Sequence, residues 1–262
     1  MQKNREIPLN NLPKSVKTYI KHLEQVRSDF VANVSHELRT PLAVIHGYLE
    51  TLIHNDNYEI SYKKIFLQMH QHSIRMADII DDLLLLSHLE SDDHFSDEKI
   101  KINVAETLKT LCIDAKNISG EKQHKITLKA MSNVFITGSE NQLRSLFSNI
   151  IVNAIKYTPD KGSITVEWYL DEKGRGVFKV TDTGIGIAKE NIPRITERFY
   201  RVEKARSRER GGTGLGLAIV KHVLLRHDAE LQIESVFEKG SIFTCIFPTN
   251  RIVVDNFIGL SI

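Results

Sequence analysis

A histidine with polar neighbours at helical spacing is the first candidate for chemistry in this sequence. His36 lies near the centre of the stretch F-V-A-N-V-S-H-E-L-R-T-P-L, residues 30–42. On a helix Thr40 shares its face one turn later, and Glu37 points about 100° further round. Pro41 has no N–H and is expected to bend the helix just after the histidine. An exposed imidazole beside an acid, a hydroxyl and a bend could act as a nucleophile, although one histidine among 11 is weak support.

Two amides and a lysine share one face of a predicted helix further along the chain. Asn149 and Asn153 are four residues apart, and Lys156 follows three residues later. Paired amide oxygens can hold a hard cation such as Mg²⁺, while an ammonium group neutralises phosphate. Because such spacing also arises by chance, the amide pair indicates a site only in combination with other motifs.

A carboxylate followed by two glycines comes directly after the predicted strand G-V-F-K-V-T. Asp182, at the end of that strand, can accept the amino hydrogens of adenine. Gly184 and Gly186 allow the backbone to approach a ligand closely. An ordinary turn can have the same Asp-x-Gly sequence, so this motif too is weak alone.

A glycine-rich loop opens the last predicted helix. Residues 211–217, G-G-T-G-L-G-L, present free N–H groups at the positive end of a helix dipole, which suits phosphate. The G-x-G-x-G spacing, without a strand leading into it, excludes a Rossmann site, and the lack of Gly-Lys-Ser/Thr excludes a Walker loop. Residues 201–210, just before the loop, carry five basic and two acidic side chains. We interpret them as a basic lid over polyphosphate.

The first part of the chain supplies helices to position the histidine. Apolar residues recur at steps of three and four over residues 15–55 and 61–90, which predicts two long helices joined by a polar turn. A lone helical hairpin buries little surface, so we expect a second copy to complete a four-helix bundle. The predicted seam of the second helix consists of Ile65, Met69, His72, Met76, Ile79, Leu83 and Leu86.

Beyond an acidic break at residues 91–98, short strands alternate with helices. Helices are predicted over residues 104–118, 139–156 and 215–226, and strands over 125–130, 134–137, 163–169, 176–181, 231–235 and 241–247. This order predicts an α+β sandwich with helices on one face of the sheet. The expected division is therefore an N-terminal linker, a helical domain, a second linker, an α+β domain and a tail, over residues 1–14, 15–90, 91–98, 99–250 and 251–262.

Composition excludes several classes of protein. A length of 262 residues, with 41% hydrophobic and 26% charged residues, is typical of a soluble protein with one large or two ordinary domains. A net charge of +2 gives no global basic field for nucleic acid. No apolar run reaches the ~18 residues that a membrane span requires, so the chain as given is expected to be cytoplasmic. Cys112 and Cys245 match no metal-binding spacing.

In combination, these motifs are specific. S-H-E-L-R-T-P at residues 35–41, followed by the amide pair, D-x-G-x-G, F-Y-R and G-x-G-x-G, resembles the sensor histidine kinases of two-component systems. The resemblance covers about residues 26–249. Its first part is similar to the dimerisation and histidine phosphotransfer domain, and its second to the ATP-binding domain shared with Hsp90, type II topoisomerases and mismatch-repair ATPases. Residues 195–222 look most like the phosphate-regulon sensor kinases, where Thr commonly stands at the position of Thr196.

The resemblance implies a reaction and its partners. His36 would be the phosphoacceptor, with Glu37 as general base. The phosphoryl group would pass from ATP to His36, and from there to an aspartate on a response regulator. Thr40 would position the water that dephosphorylates the regulator. A homodimer would carry out this reaction.

The resemblance also implies a nucleotide site. Asn153 would ligate Mg²⁺, with Asn149 and Lys156 near the phosphates. Tyr157 would stack on adenine, and Asp182 would accept its amino group. The remaining residues would shape the pocket and its rim: Gly184, Gly186, Arg201, Gly212, Thr213, Gly214, Leu215 and Gly216.

Two other functions stay open at this point. A related ATPase clamp would bind ATP without phosphorylating histidine, but it has no use for the stretch around His36. A dimeric scaffold need not keep the Asn, Asp and Gly motifs. Phosphate-regulon kinases carry transmembrane segments and a PAS sensor before the phosphoacceptor, whereas only about 30 residues precede it here. The chain is thus either the cytoplasmic part of an inner-membrane sensor or a soluble kinase that receives its input through a partner.

Overall fold

The structure is a computed structural model that describes residues 34, 38–50, 62–90, 100–202 and 213–255. By compactness the chain divides between Ile80 and Asp81 into two units. The two predicted linkers, residues 1–14 and 91–98, lie outside the described residues. The domain boundaries therefore stay predictions.

The first unit is helical. Helix α1 covers residues 38–50, and helix α2 covers Tyr62–Glu90, whose last turns belong to the second unit. In α2 Ile79 is fully buried, and the neighbouring seam positions Met69, His72 and Met76 are half-buried, as the spacing predicts. Another side of the helix leaves Ile74 and Ile80 48% and 46% exposed. The first unit therefore has apolar surface that its own side chains do not cover.

The second unit is an α+β fold, as predicted. Besides the last turns of α2, its described α-helices are α3 (Val104–Ser119), α4 (Glu140–Tyr157) and α5 (Gly216–Arg226). Its strands are β1 (Ile100–Ile102), β2 (Lys125–Ala130), β3 (Val134–Gly138), β4 (Ser163–Leu170), β5 (Gly176–Asp182), β6 (Glu230–Val236), β7 (Gly240–Phe247) and β8 (Ile252–Val254). Every helix and strand predicted in this part of the sequence is present, with bounds within one residue of the prediction.

The strands form two sheets. The larger sheet has the order β2-β4-β5-β7-β6, in which only β2 and β4 run parallel. The smaller, antiparallel sheet has the order β1-β3-β8. Strands β1 and β8 are three residues long and were not predicted, and β8 lies within the segment expected to be a tail. The small sheet thus joins the first and last described strands of the second unit through β3.

Alternation along the strands and periodicity along the helices build one core. On β4 the buried residues Ile164, Val166 and Trp168 alternate with half-buried ones. Trp168 Nε1 donates a hydrogen bond of 3.0 Å to the carbonyl of Val134, which ties the larger sheet to the smaller. Helix α3 begins at Asn103, whose side-chain oxygen accepts the Glu106 N–H at 3.1 Å as an N-cap.

Helices α4 and α5 bring the candidate site together. The C-terminal half of α4 carries the amide pair, β5 ends at Asp182, and α5 begins at Gly216. Within the described residues no helix is both long and apolar enough to traverse a lipid bilayer.

Candidate functional site

A cavity of about 170 Å³ lies in the second unit where α4 ends, β5 ends and α5 begins. Five residues singled out from the sequence line it: Asn153, Tyr157, Asp182, Gly186 and Arg201. The other lining residues are mostly apolar: Ala154, Ile185, Ile187, Ala188, Ile195, Tyr200, Val202, Leu217, Phe237, Ser241 and Phe243. The cavity therefore combines a few polar groups with apolar walls, as small-molecule sites do.

Asp182 is the buried acid of the cavity. Its residue is 7% exposed, and its Oδ1 accepts the Gly184 N–H at 2.8 Å. Burial raises the pKa of the Asp182 carboxyl above its ordinary value, while the backbone N–H groups of Gly184 and Ser241 oppose the rise. These two donors fix the orientation of a carboxylate that can accept a hydrogen bond from a ligand.

The two glycines after Asp182 are required by close contacts. A Cβ on Gly184 would lie 2.6 Å from Asp182 Oδ1 and 2.7 Å from the Tyr157 carbonyl. Gly186 has a φ of +65°, and a Cβ there would overlap the carbonyl of Val236. The loop between them is held by two backbone hydrogen bonds, from Ile185 N–H to the Tyr157 carbonyl at 3.1 Å and from Glu238 N–H to the Ile185 carbonyl at 2.7 Å.

The two amides on α4 lie at different parts of the site: Asn153 at the cavity and Asn149 at the glycine loop. Asn153 lines the cavity. Asn149 donates its Nδ2 hydrogens to the carbonyl of Ser145 at 3.0 Å, and its Oδ1 then faces Gly216 so closely that a Cβ there would overlap it. Lys156, half-buried on the same helix, is not among the described residues that line the cavity.

The glycine loop is bound to the F-Y-R segment. Phe199 donates its N–H to the Gly214 carbonyl at 2.9 Å, and a Cβ on Gly214 would lie 2.8 Å from the Phe199 backbone. The Thr213 hydroxyl accepts the Leu215 N–H at 3.1 Å, just before α5 begins. Tyr200 donates its hydroxyl to Asn191 Oδ1 at 2.7 Å, and Arg201, the next residue, reaches the cavity.

The proposed phosphotransfer residues are mostly beyond the described part of the chain. Thr40 lies on α1 in the first unit and is exposed. His36, Glu37, Gly212 and residues 203–210 of the predicted lid lie outside the described residues. Their roles stay predictions.

Sequence reasoning missed the apolar walls of the cavity. Ile187, Ile195, Leu217 and Phe243 have the same spacing as core residues, so no pattern separates a wall from the core. Ser241 follows Gly240 at the start of β7 and donates its backbone N–H to Asp182. No motif in the sequence indicates this contact.

The arrangement suits a flat, partly apolar group that carries a hydrogen-bond donor. The apolar walls would cover its faces, and Asp182 would accept from its edge. The N-terminus of α5 lies beside the cavity and favours negative charge. A purine nucleotide has all three properties.

Comparison with known proteins identifies both parts of the chain. Residues 26–92 match the His Kinase A (phospho-acceptor) domain. Residues 138–251 match the family described as histidine kinase-, DNA gyrase B-, and HSP90-like ATPase. Together these two matches cover more than half of the chain.

Curated relatives include phosphate regulon sensor proteins. PhoR of Pseudomonas aeruginosa is 52% identical over 90% of this chain and 53% of its own length. PhoR of Haemophilus influenzae is 40% identical over 90% of this chain and 54% of its own. The sensor histidine kinase WalK of Bacillus subtilis is 37% identical over 86% of this chain and 37% of its own. The chain thus spans about half the length of the two PhoR relatives.

Solved structures show the same fold. The Acinetobacter baumannii histidine kinase AdeS has a TM-score of 0.67 at 20% identity, over 82% of this chain and 98% of its own. Full-length ShkA in complex with AMPPNP has a TM-score of 0.63 at 23% identity, over 87% of this chain and 46% of its own. With a phosphoacceptor domain followed by an ATPase domain of this kind, the chain belongs to the sensor histidine kinases of two-component systems.

Proposed function

We propose that this chain is an ATP-dependent protein-histidine kinase that phosphorylates His36 and passes the phosphoryl group to an aspartate of a response regulator. The observation that carries the proposal is the position of Asp182. Its buried carboxylate, held by two backbone N–H groups, lies in an apolar cavity next to the glycine loop that opens α5. This combination supports ATP as the ligand.

The nucleotide would bind with its base in the cavity and its phosphates at the glycine loop. Asp182 would accept the adenine amino hydrogens, and Tyr157, which is 40% exposed at the cavity wall, would stack on the ring. The N–H groups at the start of α5 would face the phosphates. Arg201 and Lys156 would neutralise negative charge, and residues 203–210 would cover the site.

The residues near the glycine loop fit a magnesium ion bound together with the phosphates. Asn153 and Asn149 offer amide oxygens, and Asn149 Oδ1 is kept directed at Gly216 by the bond from Nδ2 to Ser145. Amide oxygens are hard ligands that suit Mg²⁺. When bound, the ion would offset the charge of the phosphates, with Asn153 as its protein ligand.

The phosphoacceptor chemistry would belong to the helical domain. His36 Nε2 would attack the γ-phosphorus of ATP, the bond from that phosphorus to the β,γ-bridging oxygen would break and ADP would leave, with Glu37 accepting a proton from the other ring nitrogen. Thr40 would orient a water against the phosphorylated regulator, which would make the protein a regulator phosphatase as well. We place these reactions in the cytoplasm, where ATP and receiver domains are found.

A homodimer and a phosphate-regulon role complete the proposal. The exposed side chains of Ile74 and Ile80 on α2 support a second copy as their cover. The identity with two proteins named phosphate regulon sensor protein supports signalling of that kind.

Labelling with γ-³²P ATP and Mg²⁺ tests the proposal. We expect a label on the protein that is lost in acid and retained in alkali, as for phosphohistidine. His36→Gln should abolish it. His46→Gln is the matched control, because His46 is an exposed histidine on α1, 3.4 Å from Glu50, with no proposed role in the chemistry. The labelled protein should then transfer its label to the receiver domain of a phosphate-regulon regulator faster than to an unrelated receiver.

Each other outcome would indicate a different function or a different phosphoacceptor. ATP hydrolysis without label on the protein would indicate an ATPase clamp. Failure to bind nucleotide at all would indicate a scaffold. A label that persists in His36→Gln would mean that another residue is the acceptor.

A further inference from the structure

The end of helix α2 is attached to helix α5 of the second unit. Leu86 and Leu89 are 1% and 6% exposed and belong to the core of that unit. Arg226, the last residue of α5, donates from Nε to the Leu89 carbonyl at 3.0 Å and from Nη2 to the His88 carbonyl at 2.7 Å. The last carbonyls of a helix lack partners within the helix, so Arg226 satisfies two of them.

A second attachment lies at the other end of α5. Thr213 donates its hydroxyl hydrogen to Asp82 Oδ2 at 3.2 Å, while the same hydroxyl accepts the Leu215 N–H at 3.1 Å. Asp82 precedes Leu89 by about two turns of α2, and Thr213 and Arg226 lie at the two ends of α5. The two helices therefore run in the same direction between the two attachments.

The hydrogen bond between Thr213 and Asp82 is incompatible with a polyphosphate that binds to the Thr213 hydroxyl. Thr213 belongs to the glycine loop at the N-terminus of α5, where the nucleotide phosphates are proposed to lie. A hydroxyl that donates to Asp82 cannot donate its single hydrogen to a phosphate oxygen. The negative charge of the carboxylate would also repel the phosphates.

We propose that Asp82 and a nucleoside di- or triphosphate are alternative partners of the Thr213 hydroxyl, so that Asp82 acts as a built-in competitor of the nucleotide. The inference rests on the proposed function, because it takes the glycine loop as the phosphate site. When nucleotide binds, the Thr213 hydroxyl turns to phosphate, and the hydrogen bond between Thr213 and Asp82 on helix α2 is lost. The attachment at Arg226 involves no phosphate site and is retained.

The neighbouring residue supplies a matched control. Asp81 is exposed and carries the same charge, but it points about 100° away around the helix. Asp81→Asn and Asp82→Asn change the net charge equally. Only the second weakens the contact with Thr213.

Equilibrium binding of ADP and of ATP to the full chain tests the competition. We expect Asp82→Ala to lower the dissociation constants about fivefold, the effect of one partly exposed charged contact. Asp82→Asn, which keeps an acceptor oxygen but loses the charge, should lower them about twofold to threefold. Asp81→Asn should leave them unchanged. In a Thr213→Val background, Asp82→Ala should have a smaller effect than in the parent, because the shared hydroxyl is gone and only the charge repulsion remains to be relieved.

Hydrogen exchange distinguishes competition from a purely structural role of Asp82. A purely structural contact would not make the amides near Asp82 exchange faster when ADP is added. Amides of residues 82–86 should exchange faster when ADP is added to the parent protein, and Asp82→Ala should show the faster exchange without ADP. The amides of residues 87–89, near Arg226, should change less in both cases.

The possible failures are distinguishable. Dissociation constants that rise in Asp82→Ala, or that equal those of Asp81→Asn, would overturn the competition while leaving the proposed function intact. A parent protein that binds neither ADP nor ATP would overturn the proposed function itself. If Asp82→Ala disturbs folding, the pair Asp82→Asn and Asp81→Asn decides, and equal constants in that pair count against the competition.

Discussion

At the scale of single residues, Asp182 has conflicting requirements. Its proposed role in binding the adenine amino group favours an ionised acceptor, yet burial raises the pKa of this carboxyl and opposes ionisation. The N–H groups of Gly184 and Ser241 donate hydrogen bonds to the carboxylate and so lower the free-energy cost of its ionisation. A buried carboxylate with a raised pKa is typical of a functional residue, because the fold alone has no need of it.

Asp182→Asn should separate stability from binding. A carboxyl with a raised folded pKa binds its proton more tightly in the native state than in the unfolded one. Its stabilising contribution is therefore complete below the unfolded pKa of about 3.9 and is lost as pH rises through the folded pKa. We expect the free energy of unfolding of the parent to fall relative to that of the variant as pH rises from about 4 to 7. Urea unfolding of both proteins at several pH values measures this difference.

The same variant should bind nucleotide poorly. Loss of a charged acceptor for a buried hydrogen bond should weaken ATP binding about 10- to 100-fold. Titration with ATP at pH 7 measures it. A variant that binds ATP as well as the parent would contradict the assignment of Asp182 to the base.

Asn153→Asp should weaken the use of Mg·ATP without affecting assembly. A carboxylate in place of the cavity-lining amide adds negative charge near the phosphates, so we expect autophosphorylation to fall at least about tenfold. Asn117→Asp, the same change at an exposed site on α3, is the control. Sedimentation equilibrium should give twice the chain mass of 29.9 kDa for the parent and both variants. A monomeric Asn153→Asp protein would contradict the assignment of dimerisation to the helical domain.

Individual cavity-lining residues could be singled out in the sequence where a polar side chain had no structural reason to be there, and their roles stay predictions. Asp182 is the last residue of β5, and Asn153 faces the cavity from α4, so both could be recognised as candidates. Helical spacing groups Lys156 with Asn153, yet Lys156 is not among the described residues that line the cavity. Spacing determines which face of a helix a residue occupies, but not how far its side chain reaches. Leu217 and Phe243 could not be recognised, because an apolar wall and an apolar core have the same physical signature.

At the scale of elements, the loop after β5 depends on one backbone conformation. Gly186 has a φ of +65°, and Gly174, in the turn between β4 and β5, has a φ of +73°. A Cβ on Gly186 would overlap the Val236 carbonyl, whereas one on Gly174 would come no closer than 3.8 Å to the side chain of Thr249. A side chain at either glycine would therefore have to adopt an unfavourable positive φ. Only a side chain at Gly186 would also overlap a neighbouring backbone atom.

Alanine at these two positions should reveal the difference. We expect Gly174→Ala to lower the free energy of unfolding by about 1 kcal/mol, the cost of a left-handed alanine. Gly186→Ala should cost about 3 kcal/mol or more, since the β6–β7 turn must also move. Chemical denaturation measures both. Equal losses would show that the loop absorbs the Cβ without displacement.

The elements themselves were largely predictable, and their arrangement was not. Strands such as β4 and β7 are long enough for alternation and turn residues to define them. The three residues of β1 and of β8 cannot establish a period. The parallel pairing of β2 with β4 depends on contacts between distant segments, which local patterns do not encode.

At the scale of the whole molecule, the two cysteines report on the core of the second unit. Cys112 on α3 and Cys245 on β7 are 6% and 0% exposed and belong to one core cluster. Burial raises the pKa of both thiols, so reaction with a maleimide at pH 7 requires the core to open. We expect labelling of the native protein to be slow and to become slower when ADP binds. Mass spectrometry of the two cysteine peptides measures both rates, and rapid labelling of Cys245 would contradict the packing of β7.

The small sheet has a consequence for synthesis. Strand β3 pairs with β1 on one side and with β8 on the other, and Lys101 forms an ion pair with Asp255, 154 residues later. A nascent chain that has emerged from the ribosome only as far as β7 still lacks one edge of this sheet. The second unit therefore reaches its native state only when residue 255 has left the exit tunnel, so a stalled or prematurely terminated translation product should remain protease-sensitive.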